Sequence, residues 1–396
     1  MAIGSKDGAI RKPVILATGP SGFPGASQIM CGWLVNLARS GIPVELVVHR
    51  KPFALRDVTH KKLQLHYPAV VHSSAVGKHG AVGHAASLTT AAITETIFEL
   101  TKHVNKQKRL IIWATYLFPF GIAAHDAAVL ARAKGRHCEV WLTATGSDIW
   151  EFRSQFPNIG RHLLDDAEKV LTYSRPFAQE IRTSFGVKRK IDILEPLIDA
   201  SRFHPIPAAE RVKRRRAMRI PQEAFVISHH SNLRAVKRPL EVLLFAQEVA
   251  RRLLPRPVHL IISGPASRIL KTQTTDPLKI KWQGISHNVE LPLSVSDVEL
   301  NLSAHDSFNL SLAEAMASGV PVITTAVVGI APHIIRSEGG RVGGFATKGA
   351  AAYQDLVSAV IQLARDPVAA EEMGRRGASY AAAAWCHTSI ATKLGL

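Results

Sequence analysis

Apolar and β-branched residues fall in short runs along the chain, separated by longer stretches with the period of a helix. In the first half the runs are PVILATG (13–19), VELVVH (44–49), LIIWAT (110–115), EVWLTATG (139–146), KVLTYS (169–174) and IDILEP (191–196). They are nearly continuously apolar, which suits strands of a parallel sheet covered on both faces. Between them QIMCGWLVNLARSG (28–41), TAAITETIFELTKHV (90–104) and GIAAHDAAVLARAKG (121–135) read as helices, with Gly41 and Gly135 as stops. The stretch 55–90 is poorly periodic and reads as loops with short elements over the first sheet.

The alternation restarts at AFVISHHS (224–231) and runs through VHLIISG (258–264), IKWQG (280–284), VELNLS (298–303) and VPVITT (320–325). Helical patterns cover 237–254, 310–319, 351–365 and 369–384. EPLIDASRFHPIP (195–207), rich in proline and turn residues, reads as a linker. The expected fold class is therefore α/β, with two Rossmann-like doubly wound domains. The first spans 1–198, the second 199–376, and 377–396 is a helix packing back towards the first. A chain of 396 residues exceeds what one core usually supports. Open α/β sheets bind ligands beyond the carboxyl ends of their strands, so two such domains are expected to face each other across a cleft.

Composition narrows the classes. With 46% hydrophobic and 20% charged residues the chain is globular. No apolar run approaches the ~18 residues of a membrane-spanning helix. The start resembles no secretory leader, and Cys31, Cys138 and Cys386 have no CxxC or zinc spacing. Reduced thiols in a cytoplasmic protein are the expectation. The net charge of +18 attracts anions, whether nucleotide phosphates, acidic lipid headgroups or nucleic acid. ERVKRRRAMR (210–219) is either a solvated helix face or a weak docking patch for the inner face of an anionic membrane. No nucleic-acid module or interleaved aromatic pattern accompanies it, so nucleic acid is not an expected partner. A homo-oligomer is compatible with the sequence.

The chemistry concentrates in HDSFNLSLAEAMASGVPVITT (305–325). Asp306 precedes Glu314 by eight positions, with Ser307, Phe308 and Asn309 as a loop and a helix from Leu310 to Ser318. A helix start there aims free N–H groups at an anion or at sugar hydroxyls. A carboxylate one turn in can accept two ribose hydroxyls. The plainer alternative is a helix-start acid and a solvated helix residue. In SNLRAVKRP (231–239), Arg234 and Lys237 follow a strand and open a helix. Two cations so placed can neutralise a departing diphosphate, or they can be ordinary surface charges.

These segments resemble the family 4 retaining glycosyltransferases, which have the two-domain GT-B fold. The E-x7-E motif and the "EAMA-GVPVI" run carry the resemblance, with Asp306 where the family usually has Glu and Asn309 where it usually has Gly. SNLRAVKRP looks most like the segment of the malate-using members. The resemblance implies that Arg234, Lys237 and Asp306 serve catalysis and that Glu314 binds ribose. It places Phe308 and Asn309 at the sugar, and Gly264 (with Gly284), Asn288 and Val289 at the nucleotide. On the acceptor side it points to Gly22, Gly25 and Ser27 in GPSGFPGASQ (19–28), to Tyr116 with Pro119, and to Thr145, Gly146 and Asp148 in TATGSDIWEF (143–152). Thr145 replaces the His usual there. Plainer readings of these residues are strand-end turns, a core aromatic at Tyr116 and a helix cap at Asp148.

The implied function is a retaining transfer of a sugar, such as N-acetylglucosamine, from a UDP-sugar to a hydroxyl of a small acid such as malate. Alternatives are a lipid-linked glycan or natural-product acceptor at a membrane, and a non-catalytic nucleotide-sugar-binding protein. No DxD pattern in a loop and no HExxH is present, so no metal and no cofactor beyond the nucleotide sugar are expected.

Overall fold

A computed structural model describes residues 12–20, 25–48, 55, 60–68, 84–151, 153–265, 276–285, 288–344 and 353–396, the side chains of 84–87 excepted. The chain divides into two compact units, Met1–Leu197 with Ser389–Leu396, and Ile198–Thr388. The return to the first unit thus begins at Ser389, whereas the sequence reading placed it at 377.

The first unit holds β1 (Val14–Thr18), β2 (Val44–Val47), β3 (Leu63–His66), β4 (Leu110–Thr115), β5 (Glu139–Thr143), β6 (Lys169–Thr172) and β7 (Asp192–Ile193). They form one sheet in the order β3-β2-β1-β4-β5-β6-β7, and every pairing is parallel. Every residue of β1 and β4 is buried, as their apolar runs require of central strands. The final helix, Ile390–Leu394, belongs here: Ile390 N–H donates to Asn36 Oδ1 at 2.9 Å, and Lys169 Nζ to the Leu394 carbonyl at 3.2 Å. β3 is one short element within the stretch 55–90, which the sequence pattern reads as loops with short elements. As an edge strand it alternates apolar and polar residues (LQLH) and lacks the continuous apolar run of the interior strands.

The second unit holds β8 (Phe225–His230), β9 (Val258–Ser263), β10 (Lys279–Gly284), β11 (Val298–Asn301), β12 (Val322–Thr325) and β13 (Gly340–Gly343). Their order is β10-β9-β8-β11-β12-β13, again all parallel. Phe225 and Ile227 face a large core built with the helices Pro239–Leu253 and Gln354–Arg365, while Val226 faces a smaller one with Met218 and Val295. β13, a second edge strand, reads GRVG and escapes the sequence pattern.

Strand order reverses between β1 and β4 in the first sheet and between β8 and β11 in the second. Those switch points are where open parallel sheets take ligands.

The basic run forms the helix Ala208–Ala217. Two of its cations turn inward. Arg215, 5% exposed, reaches the carbonyls of Val295 (2.8 Å) and Ala224 (3.0 Å) and the Asp297 carboxylate (2.9 Å). Arg211 takes the other Asp297 oxygen at 2.7 Å, and Arg214 pairs with Glu210 at 2.9 Å. Lys213, Arg216 and Arg219 remain exposed. Much of the run's charge therefore anchors the helix to the chain entering β11.

Candidate functional site

At the second switch point the residues after β8 form a tight loop. His229 Nδ1 meets the Leu300 carbonyl and its Nε2 meets Ser231 Oγ, both at 2.8 Å. Burial pulls the His229 pKa down, so the ring is neutral: Nδ1 carries the proton and Nε2 accepts from the Ser231 hydroxyl. That hydroxyl in turn accepts from Leu233 N–H at 3.1 Å, which fixes the start of the loop. A single turn, Ala235–Lys237, follows before the helix at Pro239, and Lys237 N–H donates to the Arg234 carbonyl at 2.8 Å. Arg234 and Lys237 thus sit on one turn, both half-buried.

The residues after β11 meet this loop. Lys237 Nζ forms an ion pair with Asp306 Oδ2, and Ala304 N–H donates to the Val236 carbonyl at 2.8 Å. The other Asp306 oxygen accepts from Phe308 N–H at 3.2 Å. That amide, read from the sequence as a sugar donor, is therefore engaged by Asp306. Phe308 itself is 1% exposed, its ring packed edge-on against Trp385 and near His333. Asn309 adopts φ 85° and caps the helix Leu310–Ala317, its Oδ1 accepting from Leu312 N–H at 3.4 Å and from Ser311 Oγ at 3.0 Å. A residue in that left-handed conformation is normally Gly or Asn, which accounts for Asn at a position where Gly is usual. Glu314, 7% exposed, stands one turn into the helix, and its charge acts on Arg202 and His230.

The strands on the other side of β8 close the site. Gly264 N–H donates to the Gly284 carbonyl at 2.8 Å. A Cβ on Gly264 would lie within 3.0 Å of the Ser231 carbonyl oxygen, so only glycine lets these loops approach. Asn288 is exposed, and Val289 is half-buried at the start of the helix Glu290–Val295. Glu290 holds Arg202 of the linker at 2.7 Å, a contact between residues 88 positions apart.

In the first unit the predicted acceptor-side residues gather after β1, β4 and β5. Gly25, at φ 89°, precedes the helix Ala26–Arg39, in which Ser27 is buried; Gly22 lies outside the described residues. Tyr116 follows β4 at φ 85°, a strained value for an aromatic residue. Asp148, fully buried, accepts from the amides of Leu117 (3.0 Å), Thr145 (3.0 Å) and Gly146 (2.7 Å) and from Thr145 Oγ1 (3.2 Å). It therefore ties the loop after β5 to the loop after β4 and does not cap the helix Ser147–Trp150 from outside. Burial pushes the Asp148 carboxyl up, against the pull of these four donors. Among the described residues no cluster of three His, Cys, Asp or Glu could hold a metal ion, and no helix is long and apolar enough to cross a membrane.

Residues 225–366, which carry β8 to β13 and the loops that follow them, match the family described as Glycosyl transferases group 1. That match covers 142 of the 396 residues, the part of the chain that carries Arg234, Lys237, Asp306 and Glu314. The chain is 26% identical over 312 residues to N-acetyl-alpha-D-glucosaminyl L-malate synthase of Bacillus anthracis, covering 76% of this chain and 75% of that protein. It is 25% identical to D-inositol 3-phosphate glycosyltransferase of Corynebacterium urealyticum over 46% of each, so that match spans about half of either length. Among solved structures it shares the fold of Anabaena HepE in complex with UDP and glucose, with a TM-score of 0.73, 16% identity, and coverage of 97% of this chain and 98% of that one.

One constellation in the second unit was not singled out from the sequence. His230, the last residue of β8, pairs with Glu299 of β11, Nδ1 to Oε2 at 2.8 Å, and its amide donates to Glu299 Oε1 at 3.0 Å. Burial alone would pull the His230 pKa down; the charge and hydrogen bond of Glu299, with the charge of Glu314, raise it instead. Burial likewise pushes Glu299 up, and His230 brings it below the usual carboxylate range. Both shifts favour the ionised form of the pair. A signal was available in the sequence: Glu299 is the one charged residue in VELN, and His-His interrupts an apolar run beside it.

Proposed function

We propose that the chain is a retaining, metal-independent glycosyltransferase that uses a UDP-sugar and a small anionic hydroxyl acceptor, with malate the first candidate. The observation carrying this reading is the Lys237–Asp306 ion pair, which joins the loops after β8 and β11 at the switch point. Arg234 shares the turn of Lys237, and Glu314 stands in the helix that Asn309 caps. In this reading Arg234 and Lys237 stabilise charge growing on the leaving diphosphate, an interaction concentrated in the transition state. Glu314 accepts the ribose hydroxyls. Asp306 orients the sugar and holds the Lys237 ammonium in place. The sugar C1–phosphate oxygen bond breaks while the acceptor oxygen bonds to C1 on the same face. The acceptor proton passes to the leaving phosphate oxygen, so UDP and the glycoside are the products. The loops carrying Gly25, Tyr116 and Gly146 hold the acceptor.

Two lines support a small anionic acceptor. The chain carries a net charge of +18, and both curated relatives are named for anionic acceptors, malate and inositol phosphate. The test begins with thermal stabilisation by UDP-, GDP- and dTDP-sugars, followed by an acceptor screen with the best donor. NMR of the product reports the anomeric configuration, and turnover in excess EDTA reports metal independence. In calorimetry Glu314→Ala should weaken UDP binding about tenfold or more. Unchanged UDP affinity in that variant refutes the ribose assignment, and inversion of configuration refutes the same-face displacement.

A further inference from the structure

The face of the second sheet that carries Val226 becomes polar towards the carboxyl ends of its central strands. Ser228 and His230 of β8 share it with Ser263 of β9, which is in register with His230, and with Glu299 of β11, in register with Ser228. All four are buried, His230 at 7% exposed and Glu299 at 0%. A buried ion pair there is not explained by stability, because desolvation consumes most of what the pair returns and apolar residues pack as well. His230 also has a polar atom to spare. Its Nδ1 is committed to Glu299, while its Nε2 is buried and makes no hydrogen bond within the protein. The nearby charge acting on this ring, besides Glu299, is that of Glu314, from the helix Leu310–Ala317.

We propose that His230, anchored by Glu299, is a positioning residue for Glu314, its imidazolium charge holding the Glu314 carboxylate in place as that carboxylate takes the ribose diol of the donor nucleotide. This deepens the transferase reading above and rests on it.

The role depends on charge. As an imidazolium, His230 is protonated on both nitrogens: Nδ1–H donates to Glu299, and the charge of the ring attracts Glu314. Once neutral, the ring keeps its proton on Nδ1 for Glu299 and presents a bare Nε2 acceptor, which cannot steady a carboxylate. The groups facing it are Glu299 from β11, Glu314 from the following helix, Ser263 from β9 and neutral His229 from its own strand. The folded pKa lies above the ordinary 6.5, so the charge is present below that value and is lost as pH rises through the raised one.

Calorimetry with UDP and 2′-deoxy-UDP tests the idea, since the second ligand lacks one hydroxyl of the diol. For the wild-type chain the preference for UDP should fall about tenfold as pH rises through the His230 pKa, with 2′-deoxy-UDP affinity changing far less. His230→Phe alone strands Glu299 as an unpaired buried charge, so the informative variant is the apolar pair His230→Phe with Glu299→Leu. It should fold, bind UDP about tenfold more weakly at neutral pH, and show no pH step in the ligand preference. A merely structural pair would change the unfolding midpoint and leave the preference and its pH profile alone. A flat wild-type profile, or a double variant with the wild-type preference, overturns the proposal. If Glu314→Ala also leaves the preference unchanged, the ribose assignment itself has failed; if Glu314→Ala lowers it and the double variant does not, only the role of His230 has.

Discussion

Replacing Gly264 with alanine tests how tightly the loops of the second unit meet. The new Cβ would lie closer than 3.0 Å to the Ser231 carbonyl oxygen and 3.1 Å from Leu233 Cγ. Leu233 can turn aside, but the carbonyl is backbone and must retreat by roughly an ångström. Ser231 N–H is itself bonded to the Ser263 carbonyl at 3.1 Å, and its hydroxyl is bound by His229, so the retreat strains both contacts. Overpacking of this kind costs about 1–3 kcal/mol. The φ of 158° at Gly264 borders the region that side chains avoid, which adds up to about 1 kcal/mol. Urea unfolding should therefore show a loss of about 2–4 kcal/mol. Because Ser231 begins the loop bearing Arg234 and Lys237, UDP affinity should fall about tenfold or more. An alanine variant with wild-type unfolding midpoint and wild-type UDP affinity would refute the close approach and the link from Gly264 to the cations.

Other expectations concern anchors remote from that contact. Arg215→Met removes a buried guanidinium and leaves the Val295 and Ala224 carbonyls short of a donor; denaturation should show a loss of about 3–5 kcal/mol. Arg216→Glu, on the exposed side of the same helix, should change stability by less than about 0.5 kcal/mol. Asp148→Ala strands the buried amides of Leu117, Thr145 and Gly146, so unfolding should cost about 3 kcal/mol less or lower still. A near-neutral result at Arg215 or Asp148 would mean that water replaces those partners.

The sequence shows most plainly what is local to one segment. The nearly continuous apolar runs mark the interior strands β1, β4, β8 and β9, and the loop and helix of 305–318 hold Asp306, Asn309 and Glu314 within a few residues of one another. Edge strands β3 (LQLH) and β13 (GRVG) escape because a strand with a neighbour on one side only has no need of an unbroken apolar run, whereas edge strands β7 and β10 lie in segments apolar enough to be read. Contacts between distant segments escape for a different reason. Lys237 and Asp306 lie 69 positions apart, as do His230 and Glu299, and Arg215 lies 82 from Asp297. Nothing in the spacing of a single sequence pairs them, and only the family resemblance placed Lys237 and Asp306 at one site. The basic run therefore looked like one uniform surface, although Asp297 draws two of its arginines inward. The Asp148 carboxylate looked like a cap for the helix after it, although it gathers the amides of two loops.

Asn309 brings the local and the tertiary readings together, and two substitutions separate them. Its backbone lies at φ 85°, ψ 84°, where an ordinary side chain costs about 1–2 kcal/mol. Its side chain offsets this by capping Leu312 N–H, an interaction whose loss to alanine costs about 1 kcal/mol and to glycine only a few tenths. Asn309→Ala loses the cap and meets the full conformational cost, so it should destabilise by about 2–3 kcal/mol. Asn309→Gly loses the cap but relaxes the backbone, so its stability should stay within about 0.5 kcal/mol of wild type. The two variants also divide the roles of this residue at the site. Asn309 Nδ2 is buried and has no hydrogen-bond partner within the protein. If that amide serves the sugar, the glycine variant should keep its stability and its UDP affinity while its KM for the intact UDP-sugar rises. If Asn309 serves only the backbone, the glycine variant should turn over like wild type, and donor choice must then be set by other residues around the Asp306 loop.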